Sequence, residues 1–341
     1  MRLSVLDQSI AVTGRSADTA IRETLSLAQH CEALGYERFW LSEHHSHPSI
    51  VGSAPEVLMA AIAATTQRIR IGSAGVMLPH YSALKVAEQF RVLEALAPGR
   101  IDLGVGRAPG SDGRTAQLLN PQAHHAADRF PLQVRELQAW VGGSELPEGH
   151  PGRGVVAQPT GPSTPTLWML GSSNYGAQLA AHYGLPYAFA YFITDGQGAE
   201  EALATYRELY RPSPQHPTPQ AALCVWALAA DSEDEAWQHF SSRERWKIDR
   251  NQGVLGPLQS PAEVAARPYT AAEQQAADKL RNTALVGSGP QVAHKLRALA
   301  ETLAVEDMVV ITWTHDAAAR RRSYELLAAE LCVATAQAEK V

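Results

Sequence analysis

The sequence predicts one α/β domain, a TIM (β/α)8 barrel with insertions in its βα loops, and three observations carry that prediction. Strand-like and helix-like segments alternate almost from end to end of the chain, which implies parallel strands joined by right-handed crossovers. Eight such units need roughly 250 residues and leave about 90 for insertions in a chain of 341. Histidine, glycine and serine gather just after several of the strand-like segments, at the barrel end where active sites are built. A doubly wound open sheet is the competing architecture, but it usually stops at about five or six strands.

Arg2–Leu6 reads as the first strand and Asp18–Leu34 as an amphipathic helix closed by Gly35. Arg38–Leu41 is the second strand, and Pro55 opens a helix to Thr66 from the first helical position, where proline is tolerated. Ile69–Leu78 follows as a strand, then Ser82–Leu96 as a helix stopped by Pro98-Gly99. Ile101–Val105 is the fourth strand, with a long loop before the helix Asp128–Val141. The Pro/Gly-rich passage 142–165 reads as an insertion with one short strand around Val155. The alternation resumes with strand Thr166–Leu170, helix Tyr175–Tyr183, strand Tyr187–Phe192 and helix Gly198–Tyr210. Strand Ala221–Ala229 and helix Ser232–Trp246 come next. Residues 250–282 are expected to form a second insertion or mobile lid, irregular over Asn251–Thr270 and helical over Ala271–Asn282. Helix Gln291–Leu303, strand Asp307–Trp313 and helix Ala317–Gln337 complete the chain.

Composition narrows the function. Hydrophobic residues make up 45% and charged residues 19%, an ordinary globular balance with enough apolar material for a large core. A net charge of −6 and a pI near 6.1 argue against a nucleic-acid or anionic-membrane partner, either of which would want a basic face. The longest apolar stretch, Val57–Ala64, falls far short of the roughly 20 residues of a membrane span. Asp7 and Gln8 interrupt any signal-like N-terminal run. Cys31, Cys224 and Cys332 are scattered, which suits a reducing cytoplasm and argues against a disulfide framework or a zinc site.

The segments after the strands hold the candidate chemistry. After the second comes Ser42-Glu43-His44-His45-Ser46-His47, where His44 and His45 are candidate acid–base groups. A metal site is not expected there, since adjacent histidines in a strand-like run face opposite ways. A histidine-rich surface loop is the plain alternative. The third strand contains Gly72-Ser73-Ala74-Gly75, small residues that suit either a flat ligand against the backbone or close packing in the barrel. Gly104-Val105-Gly106-Arg107-Ala108-Pro109-Gly110 departs from a dinucleotide fingerprint, because its third glycine falls late and no helix begins directly. Arg107 is a fixed cation past a strand end, suited to a phosphate or a carboxylate, or to a surface ion pair. Leu170-Gly171-Ser172-Ser173-Asn174-Tyr175-Gly176 opens a helix with small and hydroxyl residues, the pattern of a phosphate site, although a serine cap alone explains part of it. Val286-Gly287-Ser288-Gly289-Pro290 is a second small-residue loop, suited to another phosphate site, as loops near the end of a barrel often are, or explained without a ligand by Ser288 as cap and Pro290 at the first helical position. Trp40, Tyr81, Tyr191 and Trp313 fall near strand ends and suggest an apolar or aromatic pocket, or simply core.

Taken in order, these segments resemble the bacterial luciferase-like monooxygenase family. Leu41-Ser42-Glu43-His44-His45, Gly72–Pro79, Gly99–Arg107 and Leu170-Gly171-Ser172-Ser173 carry the resemblance. Leu3–Asp7, Ser53–Val57 and Val86–Phe90 are similar more narrowly to its single-chain bacterial members. The resemblance implies a barrel that uses reduced FMN and oxygen on a small organic substrate, with the flavin supplied by a separate NAD(P)H-dependent reductase. It implies a non-proline cis peptide at Ala74–Gly75 beside the flavin ring, and phosphate binding by Arg107 and by Ser172, Ser173 and the helix start at Gly176. His44 occupies the place of the catalytic histidine. Gly106 stands where luciferase has a reactive cysteine, which argues against light emission. Ser172 stands where luciferase has a glutamate, though a hydroxyl still donates to phosphate. Two alternatives stay open: hydride transfer with the deazaflavin coenzyme F-420, or flavin binding without turnover. A homodimer is expected for this kind of protein, with the Ala-rich helix at Pro55–Thr66 as the packing face.

Overall fold

Among the described residues nine strands run parallel, each followed by a helix, and eight of them surround one axis. They are β1 (Arg2–Asp7), β2 (Arg38–Leu41), β3 (Arg70–Met77), β4 (Ile101–Gly106), β5 (Thr166–Gly171), β6 (Tyr187–Ala190), β7 (Ala221–Ala230), β8 (Leu285–Ser288) and β9 (Asp307–Ile311). The helices that follow them in turn are α1 (Ala17–Ala33), α2 (Pro55–Thr65), α3 (Ala83–Leu96), α4 (Phe130–Gly142), α5 (Asn174–Tyr183), α6 (Ala199–Leu209), α7 (Glu233–Asn251), α8 (Gly289–Thr302) and α9 (Ala317–Leu331). The computed structural model describes residues 1–331 apart from the side chain of His124. Cys332 and the expected end of the last helix, to Gln337, lie outside those residues.

β1 to β7 pair in sequence order, and β9 closes the ring against both β7 and β1. The two ends of the chain meet at this seam, with Arg2 opposite Asp307 and Val5 opposite Val310. The result is the closed eight-stranded TIM barrel that the sequence predicts. The ninth strand is a correction. Leu285–Ser288 is not the loop expected at 286–290, because it pairs with Ala227–Ala230 in the upper half of the long β7. Ser288 then caps α8, in a capping box with Gln291.

Other differences have local causes. The third strand stops at Met77 because Leu78-Pro79-His80 winds into a short 3-10 turn. The sixth stops at Ala190, where Tyr191–Thr194 turns helical. No strand forms around Val155; its carbonyl accepts from the Trp140 indole at 3.0 Å. The insertion 142–165 is instead clamped by the buried Arg91 of α3, which donates to the carbonyls of Pro159 and Ser163 at 2.8 and 3.0 Å. Residues 251–270 are less irregular than expected, since Pro261–Ala265 is a short helix held by a Ser260–Glu263 capping box. The loop after β4 holds an unanticipated helix, Gly113–Leu119, capped by Asp112. Among the described residues no helix is long and apolar enough to cross a membrane.

Alternation along the strands divides the interior in two. Leu3, Val5, Phe39, Ile71 and Leu103 face outward under the helices, while Leu6, Trp40, Trp168, Cys224 and Val309 fill the barrel itself. Trp40 and Trp168 meet edge to face at 5.1 Å inside it.

The barrel floor is charged. Arg38 on β2 reaches Asp307 on β9 at 2.5 Å and Asp102 on β4 at 3.2 Å, and both aspartates are fully buried. Ser4 and the Trp40 indole each add a hydrogen bond at 3.0 Å, to Asp307 and Asp102 respectively. Arg70 closes the other side of Asp102. Removing one partner of a buried ion network leaves uncompensated charge, at a cost of about 3–5 kcal/mol. Arg38→Met is therefore expected to lose that much stability in urea unfolding, and a loss below about 1 kcal/mol would mean that the network behaves like exposed ion pairs.

Candidate active site at the barrel mouth

The β2 loop is organised around one buried carboxylate. Glu43 accepts the Met77 N–H at 3.0 Å through Oε2 and the Tyr81 hydroxyl at 2.6 Å through Oε1, and His45 Nε2 lies 2.7 Å from the same Oε1. This ties the end of β2 to the end of β3. Strand-like geometry then sends neighbouring side chains to opposite sides. His45 is held inside the Glu43–Tyr81 network, and its N–H donates to the Gly110 carbonyl at 3.0 Å. His44 faces the other way, with Nδ1 3.3 Å from Ser42 Oγ and its ring 6.0 Å from His47. The two histidines singled out from sequence are thus brought to different surroundings.

An aromatic row continues from His44. His47 Nδ1 accepts the N–H groups of Ser49 and Ile50, both at 3.1 Å. Its ring lies 6.4 Å from Trp246 of α7, which meets Trp313 edge-on at 4.6 Å. The Trp246 indole donates to Ser49 Oγ at 2.7 Å and that of Trp313 to Gln8 at 3.1 Å. Burial above all, followed by the positive fields of His47, His45 and Arg250, lowers the His44 pKa to about 4. His44 is neutral at physiological pH, able to accept a proton or to donate one hydrogen bond.

β3, β4 and β5 approach one another closely at the same height. The peptide Ala74–Gly75 is cis, and the β3–β4 register shifts across it. A Cβ on Gly75 would fall 2.5 Å from the Leu170 side chain and 2.8 Å from the Gly104 carbonyl, and one on Gly104 only 2.2 Å from the Ser73 carbonyl. Both positions therefore demand glycine. Ala74 and Leu170 pack at the edge of the interior cluster that contains Trp40 and Trp168, giving the mouth a small-residue, apolar base.

Next to this base is a set of donors without acceptors. The Arg107 guanidinium lies 4.0 Å over the Tyr175 ring and has no ion pair among the described residues. Ser173 stands at the N-cap of α5 without making a side-chain cap, so the first N–H groups of the helix remain open. Gly171 and Gly176 abut, and a Cβ on either would sit 3.4 Å from the other's Cα, which brings the strand end and the helix start together. Asn174 is turned outward to Glu201. The other small-residue loop, at 286–290, has its cap filled by its own side chains.

Sequence reading passed over Glu43 as the hub of its loop, and the roof formed by α7. Trp40 is not a rim residue as its position suggested; it is wholly buried in the barrel. Tyr81 belongs to the Glu43 network, Tyr191 lines the turn after β6, and only Trp313 joins the aromatic row.

Fold and mouth together describe a TIM barrel with an uncapped helix start and an apolar base on one rim. The family model described as luciferase-like monooxygenase matches residues 1–306, and the chain belongs to that family. It is 37% identical to the N-acetyl-S-alkylcysteine monooxygenase of Bacillus subtilis (strain 168) over 328 residues, 96% of this chain and 97% of the relative. The crystal structure of apo-MsnO8 superposes with a TM-score of 0.87 at 35% identity, covering 96% of this chain and 98% of that one. The oxygenating constituent of a 3,6-diketocamphane monooxygenase of Pseudomonas putida, solved in complex with FMN, has a TM-score of 0.73 at 19% identity, covering 97% of each chain. At that identity the likeness is one of fold.

The lowered His44 pKa has a thermodynamic sign. A histidine whose pKa falls on folding binds protons more readily in the unfolded chain, so its contribution is complete above pH 6.5 and lost as the pH falls toward 4. His44→Gln should therefore flatten the decline of Tm between those values by several degrees. An unchanged slope in thermal melts would place the titration at other groups.

Proposed function

We propose that the barrel mouth binds reduced FMN, with its phosphate at Arg107, Ser172, Ser173 and the N–H groups of Asn174, Tyr175 and Gly176. Ala74, Gly75, Leu170 and Gly171 would hold its ring. The observation that carries this reading is the set of unanswered donors at the α5 start, beside the cis peptide of β3. An anion there gains charge-assisted hydrogen bonds and the positive end of the helix dipole. When bound, reduced FMN supplies the electrons that let dioxygen oxidise a small organic substrate.

The chain's own residues do the rest. His44, neutral and half-enclosed, holds or passes a proton at Nε2, the ring nitrogen turned away from Ser42. Glu43, His45 and Tyr81 fix the β2 loop against the end of β3 and so set where His44 stands, which makes His45 a positioning residue. The aromatic row of His47, Trp246 and Trp313 excludes water from one side. Within 250–282, the exposed Val254 and Leu255 suit a lid that settles over the mouth. We propose further that a separate NAD(P)H-dependent reductase supplies the flavin in the cytoplasm. A homodimer is proposed to form through α2, where Val57 is 63% exposed beside alanines that allow close helix approach.

Anaerobic titration with reduced FMN, followed by mixing with oxygen and recording its uptake, tests the cofactor. Binding of FMN with oxygen uptake supports the proposal, and binding of the deazaflavin alone would overturn it. Arg107→Ala is expected to weaken FMN binding about 10- to 100-fold, the worth of a charge-assisted hydrogen bond. His44→Ala should leave that affinity unchanged and slow substrate oxidation about 100-fold or more. In light scattering the particle should weigh twice the 36.8 kDa of one chain, and Val57→Glu should return it to a monomer.

A further inference from the structure

Helix α7 roofs the mouth on the β7 side and carries Arg243, Arg245, Lys247 and Arg250. Two of these are committed. Arg245 pairs with Glu273 at 3.0 Å and Asp249 at 3.6 Å. Lys247 pairs with Asp195, which sits in the turn after β6. Arg250 is exposed, with its guanidinium 5.7 Å from the Trp246 ring.

Arg243 differs. Its guanidinium lies 4.2 Å over the ring of Trp226 on β7, and no carboxylate or carbonyl among the described residues receives its N–H groups. Two further polar groups at this corner are unsatisfied. Among the described residues the buried Trp226 indole N–H has no acceptor, and the buried hydroxyl of Thr194, the residue before Asp195, has no partner. Burial lowers the Arg243 pKa to about 10, while Asp195 opposes and Arg250 adds to that shift, so the group is a cation at neutral pH. Burying a polar group is costly unless a partner completes it, and Arg243 beside these two groups is half-buried.

The surroundings say what that partner is. The Arg107 end of the mouth offers a helix start as well as a cation, which suits a phosphate. The Arg243 corner offers a flat guanidinium stacked on an indole, whose free edge matches a planar carboxylate. Around it the surfaces are apolar: Phe240 lies 5.2 Å from Trp226, and the Trp246–Trp313 pair belongs to the same interior cluster.

We propose that Arg243 and the indole N–H of Trp226 form a carboxylate-binding subsite, so that the substrate is a small organic anion whose apolar body lies among Trp226, Trp246 and Trp313. This rests on the reading of the mouth as the reaction site. It adds the charge and shape of what the site takes.

The test uses matched acid and amide pairs on protein loaded anaerobically with reduced FMN: butyrate and butyramide, octanoate and octanamide, 3-phenylpropionate and 3-phenylpropionamide. Calorimetry and tryptophan fluorescence read the binding. In at least one pair the acid should bind about tenfold or more tightly than the amide, as a charge-assisted contact requires. Arg243→Gln should abolish the preference, Arg243→Lys should keep part of it, and Trp226→Phe should weaken the acid a few-fold. Reduced FMN should bind all of these variants as it binds the parent. Equal binding or no binding in every pair overturns the subsite. It is equally overturned if Arg243→Gln weakens reduced FMN tenfold with the acid preference intact, because Arg243 then serves the cofactor. Should the parent fail to bind reduced FMN while the cofactor-free chain shows the preference and its loss in Arg243→Gln, the subsite stands and the flavin reading falls.

Discussion

Arg38 stands where three strands would otherwise present buried charge to one another. Its guanidinium joins Asp307 at the start of β9 to Asp102 at the start of β4, and Asp307 also takes a hydrogen bond from Ser4 of β1. The last strand, the first strand and the far wall of the barrel are thereby fixed in height against one another. Ion pairs of this kind contribute little net energy against an apolar alternative, but they tolerate few alternative registers, since any slip leaves a carboxylate unpaired. A parallel strand slipped by one residue would also exchange the inner face for the outer one. With the floor pinned, the upper ends of β2, β3, β4 and β5 arrive at one rim. Glu43, Ala74–Gly75, Arg107 and Ser172 can then act as neighbours although the sequence scatters them.

Floor and rim use charge in opposite ways. At the floor each buried carboxylate has its cation, and the arrangement is closed. At the rim Arg107 and Arg243 have no ion pair among the described residues, and Ser173 makes no side-chain cap at the α5 start. The β2 loop shows both habits within two residues: His45 is enclosed with Glu43 and Tyr81, while His44 turns the other way, with Ser42 beside its Nδ1 and the ring of His47 nearby. The backbone alternation that separates them is the same one that separates the outer core from the barrel interior.

The parts of this arrangement that the sequence revealed are those governed by local chemistry. Eight βα units follow from hydrophobic patterning and from breakers such as Pro55, Pro98-Gly99 and Gly35. The cis step at Ala74–Gly75 is legible only through resemblance, because nothing in four small residues announces an unusual peptide. Arg107 and the loop Gly171–Gly176 are legible because backbone donors at a helix start have a recognisable composition. The remainder is set by long-range contact. Nothing local marks Asp102 and Asp307 as the acids of the floor, or Glu43 as the residue that holds Met77 and Tyr81. Arg243 sits in a strongly charged helix, and its neighbours Arg245 and Lys247 find carboxylates in distant segments. Only the fold shows that Arg243 forms no such pair among the described residues. Ser288, the fourth residue of β8, is legible as a helix cap, but the pairing that makes its segment a strand depends on β7 running past the point of closure.

That extra length of β7 sets part of the chain apart from the ring. Its lower half bonds to β6 and β9, and its upper half carries β8, with Ala227 opposite Leu285 and Ala230 opposite Ser288. The chain therefore departs from the barrel wall at Ala230 and returns within three residues of the same height. Everything between, residues 231–284, is an excursion whose two ends are stitched to one another rather than to the ring. It bears α7, with Arg243 and Trp246, and the following helices, while the hydrogen bonds that close the barrel lie below it. Such a segment takes no part in the strand pairing that closes the barrel, and it meets the β1, β2 and β6 loops through contacts such as Leu258 with Val12, Trp246 with Ser49 and Lys247 with Asp195.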